Sequence, residues 1–534
     1  MNILAECNRG ENGSPPMHMF RDFGELMISK NVKTLMIGAL LVSLLCACDG
    51  TLNSEKQQKS YFTDEDKDYA DAQSPGKQEA SHAYRYFFLP EKDGIQQPYV
   101  GDPMPYYEDG IFYIYYLKDG GDSYNHSVYL AESDDFITYK EYPEPVLEAS
   151  RKGGQDAWIG TGSIVKVEDK YYFFYTGQAS SESHEYAQKI MLAESDNLHS
   201  WKKREGWEIT PPAELGQKKD FRDPQAYYDP AGEKIIMTIT AQQDGTARIL
   251  KYSLNKDLTE QNYEGIIFTD PAKEFWNLEC SDTFSIGDVH YLTYSGQDDT
   301  LWYARSEEAY GPYSEPKRLD GKLFYAAKHV SDGTDHYMAG WARRSESPSS
   351  LREVSAWGGN LIVQKIEQKE NGDLILVPLE QLISQFDQER PLRTEDNTVE
   401  MNAGAKYLYT EAFTSYESFL LKGDFTYSDE GSFGLSFDFD GDQSKSKSIV
   451  YSPKDQQIKL LFNEGDTLIT SCDAALKPGI KYSFTYIQEG SVGIFYLDDI
   501  ASLTVRLYGV SGKAINLFAE NNKVLFSNLQ EFTA

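Results

Sequence analysis

The feature that most constrains this chain is a pattern that returns five times between about residues 85 and 380. Each return carries a run of aromatic and β-branched residues bounded by Gly, Asp, Asn or Pro. The runs are Ile111-Phe-Tyr-Ile-Tyr-Tyr-Leu117, Lys170-Tyr-Tyr-Phe-Phe-Tyr175, Lys234-Ile-Ile-Met-Thr-Ile-Thr240, Val289-His-Tyr-Leu-Thr-Tyr294 and His336-Tyr-Met-Ala-Gly-Trp341. Side chains of this kind fit a pleated, half-buried surface, so each run reads as a strand. Their starts lie 59, 64, 55 and 47 residues apart, room for several strands per repeat. A second echo follows four of them: Leu130-Ala-Glu-Ser-Asp-Asp-Phe136, Leu192-Ala-Glu-Ser-Asp-Asn-Leu198, Lys251-Tyr-Ser-Leu-Asn-Lys-Asp-Leu258 and Tyr303-Ala-Arg-Ser-Glu307. One supersecondary unit cannot bury both its faces alone and must stack on its neighbours. The repeat therefore predicts an all-β chain in which residues 85–390 form a five-bladed β-propeller. A two-sheet sandwich would also use such strands, but it leaves the recurring Ala-Glu-Ser-Asp hairpin unexplained.

After Pro378 the rhythm changes. Alternating runs such as Phe433-Gly-Leu-Ser-Phe-Asp438, Gln457-Ile-Lys-Leu-Leu-Phe462 and Val492-Gly-Ile-Phe-Tyr496 appear without the repeat. Residues 391–534 are expected to form a separate β-sandwich. Asp438-Phe-Asp-Gly-Asp442 invites a calcium reading, but the loop would need a Glu at its twelfth position, which is Ile449. A hairpin tip is the expected structure there. Lys plus Arg total 51 against 84 Asp plus Glu, a net charge of −33. A surface that acidic repels phosphate backbones, which excludes nucleic acid as a partner.

At the amino terminus, Lys30 and Lys33 precede the apolar run from Leu35 to Leu45, which ends in Leu45-Cys46-Ala47-Cys48. A positive segment before a short apolar one is an export signal, too short to span a bilayer. The ending resembles a bacterial lipobox, so residues 1–48 are read as a signal region with Cys48 as the lipidated residue. Residues 1–26 have neither signal nor fold character, and Met27 is the more sensible start. Residues 49–84 are acidic and rich in Ser, Lys and Gln, the composition of a flexible tether. The expectation is an exported protein held on the bacterial envelope, at the outer membrane and cell surface, and touching membrane through its lipid anchor only. Of the five cysteines, Cys280 and Cys472 would remain in the folded part, and no CxxC or Cys/His spacing marks a metal site.

Three carboxylates sit in unusual settings, each at the head of a different repeat. Asp102 lies in Gly101-Asp-Pro-Met-Pro105, Asp223 in Phe221-Arg-Asp-Pro-Gln225, and Glu279 in Asn277-Leu-Glu-Cys-Ser-Asp282. The equivalent segment of the second repeat is Trp158-Ile-Gly-Thr-Gly-Ser163. Innermost propeller strands line one channel, so residues at equivalent strand starts converge on one mouth. Glycoside hydrolysis needs such a set of carboxyl groups. From about residue 97 onward the chain resembles glycoside hydrolase family 32, the invertase, inulinase and levanase group. The resemblance is carried by Asp102-Pro103, Arg222-Asp223-Pro224, Glu279-Cys280, the Ser-Gly-Ser-like Thr161-Gly162-Ser163, and Leu319 to Ala326 leading to Gly340-Trp341-Ala-Arg-Arg344. It implies a propeller followed by a sandwich, no cofactor and no metal. It also implies Asp102 as nucleophile, Glu279 as acid and base, and Asp223 as the holder of furanose hydroxyls, with Arg222 keeping Asp223 ionised. Cys280 reads as a packed small residue.

The chain departs from that pattern near the nucleophile. Gly101 stands where the family has Asn, and Leu117 stands where it commonly has Gln. Two polar contacts to the cleaved sugar are thereby missing. Thr161, Trp158, Tyr325 and Trp341, with Tyr106, are candidates to contact the sugar in their place. Asn at position 101 is expected to raise activity on sucrose if the pocket has space for it. The reading is a retaining hydrolase of β-fructofuranosidic bonds in fructans or fructo-oligosaccharides. A hydrolase of another furanoside, a fructosyl transferase and a non-catalytic glycan-binding surface lipoprotein are the alternatives. The partner in each case is an oligo- or polysaccharide.

Overall fold

The computed structural model describes residues 84–534, except 92–96, 120–125, 151–152, 180–183, 346–355, 395, 438–445 and 463–466. The signal region, Cys48, the tether up to residue 83 and the Asp438–Asp442 tip lie outside the described residues, while Tyr84, the tether's expected last residue, is packed and bonds Ser491 Oγ at 3.0 Å. Aromatic and β-branched runs form antiparallel meanders in chain order. The first is β1 (Tyr99–Glu108), β2 (Ile111–Asp119), β3 (Val128–Ser133) and β4 (Lys140–Leu147). The second is β5 (Trp158–Val167), β6 (Lys170–Gln178), β7 (Gln188–Ser195) and β8 (Lys202–Ile209). The third is β9 (Phe221–Asp229), β10 (Lys234–Gln243), β11 (Thr246–Asn255) and β12 (Gln261–Thr269). The fourth is β13 (Glu279–Ile286), β14 (Val289–Ser295), β15 (Leu301–Ser306) and β16 (Lys317–Arg318). The last is β17 (Phe324–Ser331), β18 (His336–Arg344), β19 (Ala356–Gln368) and β20 (Leu374–Val377). Three of these are separate four-stranded sheets, while the first and last join through β1 and β19 into one eight-stranded sheet. The leading strands neighbour one another in turn, β1 with β5, β5 with β9, β9 with β13 and β13 with β17, and β17 also contacts β1. Their starts are thereby brought around a common axis.

The recurring Ala-Glu-Ser-Asp segment has a physical cause. Ser133 Oγ accepts the N–H groups of Asp135 and Phe136 at 3.3 and 2.8 Å, and Ser195 Oγ accepts those of Asn197 and Leu198 at 3.1 Å each. The Asp or Asn two residues on then caps the next two N–H groups, as Asp135 Oδ1 does for Ile137 and Thr138 at 2.8 Å. Phe136, Leu198 and Leu258 each take a left-handed φ of 58°, 64° and 58° in these turns. That conformation drives an apolar side chain inward, and all three are buried. Ser and Asp supply the turn, and the buried residue anchors it.

Strand pairing passes to a second set where Gln388–Glu389 joins Asn522–Thr533. A seven-stranded and a six-stranded sheet follow, with Phe413, Phe425, Phe433, Phe484 and Leu517 in the core. Arg506, at 1% exposure, ties this part to the last meander. Its guanidinium donates to Arg343 O at 2.8 Å, Ala342 O at 3.0 Å, Asn360 Oδ1 at 2.7 Å and Ser491 Oγ at 2.9 Å. Those contacts fix β18 and β19 from behind.

Candidate active site

Each leading strand slips register against its partner near its start. The slips fall at Gly101/Met104, Gly160/Gly162, Glu279/Asp282 and Tyr325/Lys328, and opposite Thr238/Thr240 for β9. Such bulges re-aim a side chain out of the sheet alternation. Four of them hold a non-glycine residue in left-handed conformation: Asp102 (φ 43°), Asp223 (56°), Cys280 (52°) and Ala326 (51°). Strain of this kind costs roughly 1–3 kcal/mol per residue and gathers where function demands it. These four positions share one mouth, while other left-handed residues such as Phe136 and Leu198 lie in turns.

Asp102 is 7% exposed. Thr161 Oγ1 donates to its Oδ2 at 3.0 Å, and Trp341 Nε1 approaches its Oδ1 at 3.4 Å. Burial, then the negative charge of Asp223, push its carboxyl up to about 7 against the opposing hydrogen bond from Thr161, with Glu279 adding to the rise. Asp223 is also pushed upward by burial, opposed by the Arg222 charge, the Cys280 N–H at 2.7 Å and Lys328. Its own N–H donates to Thr176 Oγ1 at 2.8 Å. Glu279 accepts on both oxygens: from Arg222 Nη2 at 2.8 Å on one, and from the Tyr325 hydroxyl on the other.

Arg222 does not serve Asp223 first. Its guanidinium lies 2.8 Å from Glu279, 3.3 Å from Asp220 and 3.9 Å from Asp223. The expected Arg222–Asp223 pairing is thus the longest of three, because the bulge at Asp223 turns neighbouring side chains to different sides. Trp276, 38% exposed, lies 5.3 Å from the guanidinium carbon.

Thr161, Tyr325 and Trp341 touch the acids directly, and Trp158 is tied to the mouth only through His126 and Trp357. Thr161 bridges Asp102 and Cys280 Sγ, the latter at 3.4 Å. Trp341 is 1% exposed, so it meets Asp102 through its N–H and does not offer an open face. Tyr106 is elsewhere: its hydroxyl donates to Glu108 at 2.6 Å and its ring packs edge-on against Tyr171. Leu117 is buried among Met104, Tyr115 and Leu130. Cys280 is buried, and its thiol is held far above its usual range by that burial. It is a packed residue.

Three contributors had no motif to announce them. Lys328 is 1% exposed and donates to Gly162 O and Gln225 Oε1, both at 2.9 Å, placing a buried positive charge beneath the acids. Its only sequence signal is a lysine inside the apolar stretch Phe324 to Val330. His126 and Trp357 complete a row of rings: Trp158 to His126 at 5.9 Å, His126 to Trp357 at 4.5 Å, Trp357 to Trp341 at 6.2 Å, and Trp341 to Tyr325 at 5.6 Å. The position next to the nucleophile is full. A Cβ on Gly101 would lie 2.2 Å from the Trp357 ring, so the space expected for Asn is already occupied.

Three acids around an aromatic-walled mouth, at the axis end of stacked antiparallel sheets, define a site of the glycosidase class. The chain belongs to glycosyl hydrolase family 32, whose N-terminal domain model matches residues 96–378, more than half of the chain. Among curated relatives, it is 26% identical over 273 residues to sucrose-6-phosphate hydrolase of Escherichia coli, covering 47% of this chain and 55% of that one. It is 28% identical over 229 residues to levanase of Bacillus subtilis, covering 41% and 31%. The aligned stretches thus span only about a third to a half of those two relatives. The fold matches the crystal structure of exo-inulinase from Aspergillus awamori with a TM-score of 0.65 at 17% identity, covering 84% of this chain and 98% of the other.

Proposed function

We propose that this protein is a retaining β-fructofuranosidase acting on fructans or fructo-oligosaccharides, built on a five-bladed propeller with a sandwich behind it. The observation that carries the reading is the placement of Asp102, Asp223 and Glu279 on bulges of β1, β9 and β13, linked through Thr161, Cys280 and Arg222. Ionised Asp102 attacks the anomeric carbon of a terminal fructosyl residue. The bond to the leaving oxygen breaks as Glu279 gives that oxygen its proton. Water then attacks the fructosyl ester of Asp102, Glu279 takes the water's proton, and the Asp102 carboxylate is released. Asp223 holds ring hydroxyls and offsets the charge that develops on the sugar.

In the free site Glu279 accepts from both Arg222 and Tyr325, contacts that substrate must rearrange before Glu279 can donate to the leaving oxygen. Catalytic hydrogen bonds commonly tighten or exchange only in the substrate complex. The test is product analysis from levan, inulin, sucrose and an arabinan, with Asp102→Ala and Glu279→Ala beside the parent. The reading expects fructose release by the parent and none by either variant. It expects azide to rescue Asp102→Ala with inverted product. Turnover of natural fructosides that persists in either variant would refute the assignment. The lipobox reading of Cys48 adds that the enzyme works on the cell envelope.

A further inference from the structure

We propose that a second carbohydrate site lies between the third and fourth meanders, at the ends of β9 and β13 away from the acids, and holds the polymer that the mouth cleaves. The choice of polymer rests on the β-fructofuranosidase reading above; the site itself rests on its own residues. Tyr227 follows Asp223 by four residues on β9, and Thr283 follows Glu279 by four on β13. At about 3.3 Å of rise per residue, each lies roughly 13 Å along its strand from the catalytic acid. Between them opens a cavity of about 350 Å³, lined also by Ser285, His290, Tyr310 and Tyr313. That volume falls within the roughly 300–1,000 Å³ of small-molecule sites.

The walls suit a neutral, hydroxyl-rich ring. Tyr227 is 39% exposed, so its ring is open to a ligand. The Tyr310 ring lies nearly parallel to it, with 6° between planes and 6.3 Å between centroids. Lys251 Nζ sits 4.3 Å from the Tyr310 centroid, and Tyr313 packs edge-on against Phe268 at 5.9 Å, so the loop carrying both tyrosines is fixed on the third meander. Tyr310 also takes a φ of 69°, a left-handed conformation that a bulky residue adopts only where its surroundings impose it. Two hydroxyls, Tyr310 Oη and Thr283 Oγ1, are buried and find no hydrogen-bond partner among the described residues. Buried polar groups are almost always paired, and a ligand bringing its own hydroxyls pairs them. Among the described residues, no Asp, Glu, Lys or Arg lines the cavity, in a chain with 84 acids and 51 bases. A charged ligand would find no counter-charge there. A sugar ring offers an apolar C–H face to tyrosine and hydroxyls to the unpartnered oxygens. A chain held at this site keeps its other segments near the mouth at raised effective concentration.

The experiment measures migration in native gels cast with levan, inulin or arabinan, and kcat/KM on sucrose and on the same polymers. Proteins run in the gels carry Glu279→Ala so that the polymer stays intact, and the variants compared are Tyr227→Ala and Thr283→Val. Tyr227→Ala is expected to bind polymer roughly tenfold more weakly. It should raise KM on polymer while kcat/KM on sucrose stays parental. Thr283→Val removes an unpartnered hydroxyl at nearly constant shape. It should melt no lower than the parent and yet weaken polymer binding roughly two- to tenfold. Parental retardation of either folded variant would overturn the proposal. So would a parent that no polymer retards, including one that runs as a dimer that Tyr227→Ala dissolves, which would give the cavity to a second copy of this chain. A parent that cleaves no fructoside but is retarded by arabinan, with that retardation weakened in Tyr227→Ala, refutes the fructosidase reading and upholds the site with another polymer.

Discussion

Asp102→Asn is expected to make the protein more stable and inactive at once. Burial beside Asp223 and Glu279 lifts the Asp102 carboxyl to about 7, whereas the unfolded chain ionises it near 3.9. Between those values the unfolded state has released a proton that the folded state still holds. The derivative of unfolding free energy with pH is therefore negative, and stability falls as pH rises from about 4 to about 7. A separation of about three pKa units at about 1.36 kcal/mol each amounts to about 4 kcal/mol, fully lost above pH 7. Asn removes the charge and keeps the shape. Its amide oxygen takes the Trp341 N–H, and its N–H₂ faces the Thr161 hydroxyl, which is free to rotate toward Cys280 Sγ 3.4 Å away and accept. The assay is urea unfolding of parent and variant at pH 4 to 8. The two should nearly coincide at pH 4 and separate to about 4 kcal/mol by pH 8. A difference that does not change with pH, or an Asn variant less stable at pH 8, would refute the account of a carboxylate held ionised against its surroundings. The same reasoning puts the acid limb of kcat/KM near pH 7 for the unliganded enzyme, since Asp102 must ionise before it can attack.

Lys328→Met should raise the pH at which Asp223 ionises, because the Lys328 charge is one of the influences holding the Asp223 carboxyl down; an Asp223 carboxyl titration followed by NMR that does not move in a folded variant would exclude Lys328 as its counter-charge. Arg506→Met should cost roughly 2–4 kcal/mol in urea unfolding, since four buried acceptors lose their donor together. A change below about 0.5 kcal/mol would show that the sandwich is not anchored there. Labelling cells with a palmitate analogue should tag the parent but not Cys48→Ala, and equal labelling would remove the anchor.

The residues that could be read from the sequence are those whose chemistry shows locally. Asp102, Asp223 and Glu279 stand in short motifs, and the Ser-Asp hairpin echoes because each copy must cap the same turn with the same side chains. What could not be read depends on register. Nothing in Gly-Asp-Pro or Glu-Cys-Ser signals a bulge with a left-handed Asp or Cys, since neither puts a glycine at the left-handed position itself. Arg222 was legible as a partner of the adjacent Asp223, but the bulge turns it toward Glu279, 57 residues away. Trp341 was legible as an aromatic wall, yet its burial leaves only its N–H for Asp102. Trp357 was not legible at all, because Ala356-Trp-Gly-Gly-Asn360 reads as a turn until β19 is seen beside β1. Taken alone, Gly101 only deprives the sugar of a polar side chain. Beside Trp357 it is also an opening that a distant strand fills, since a Cβ at 101 would lie 2.2 Å from the indole.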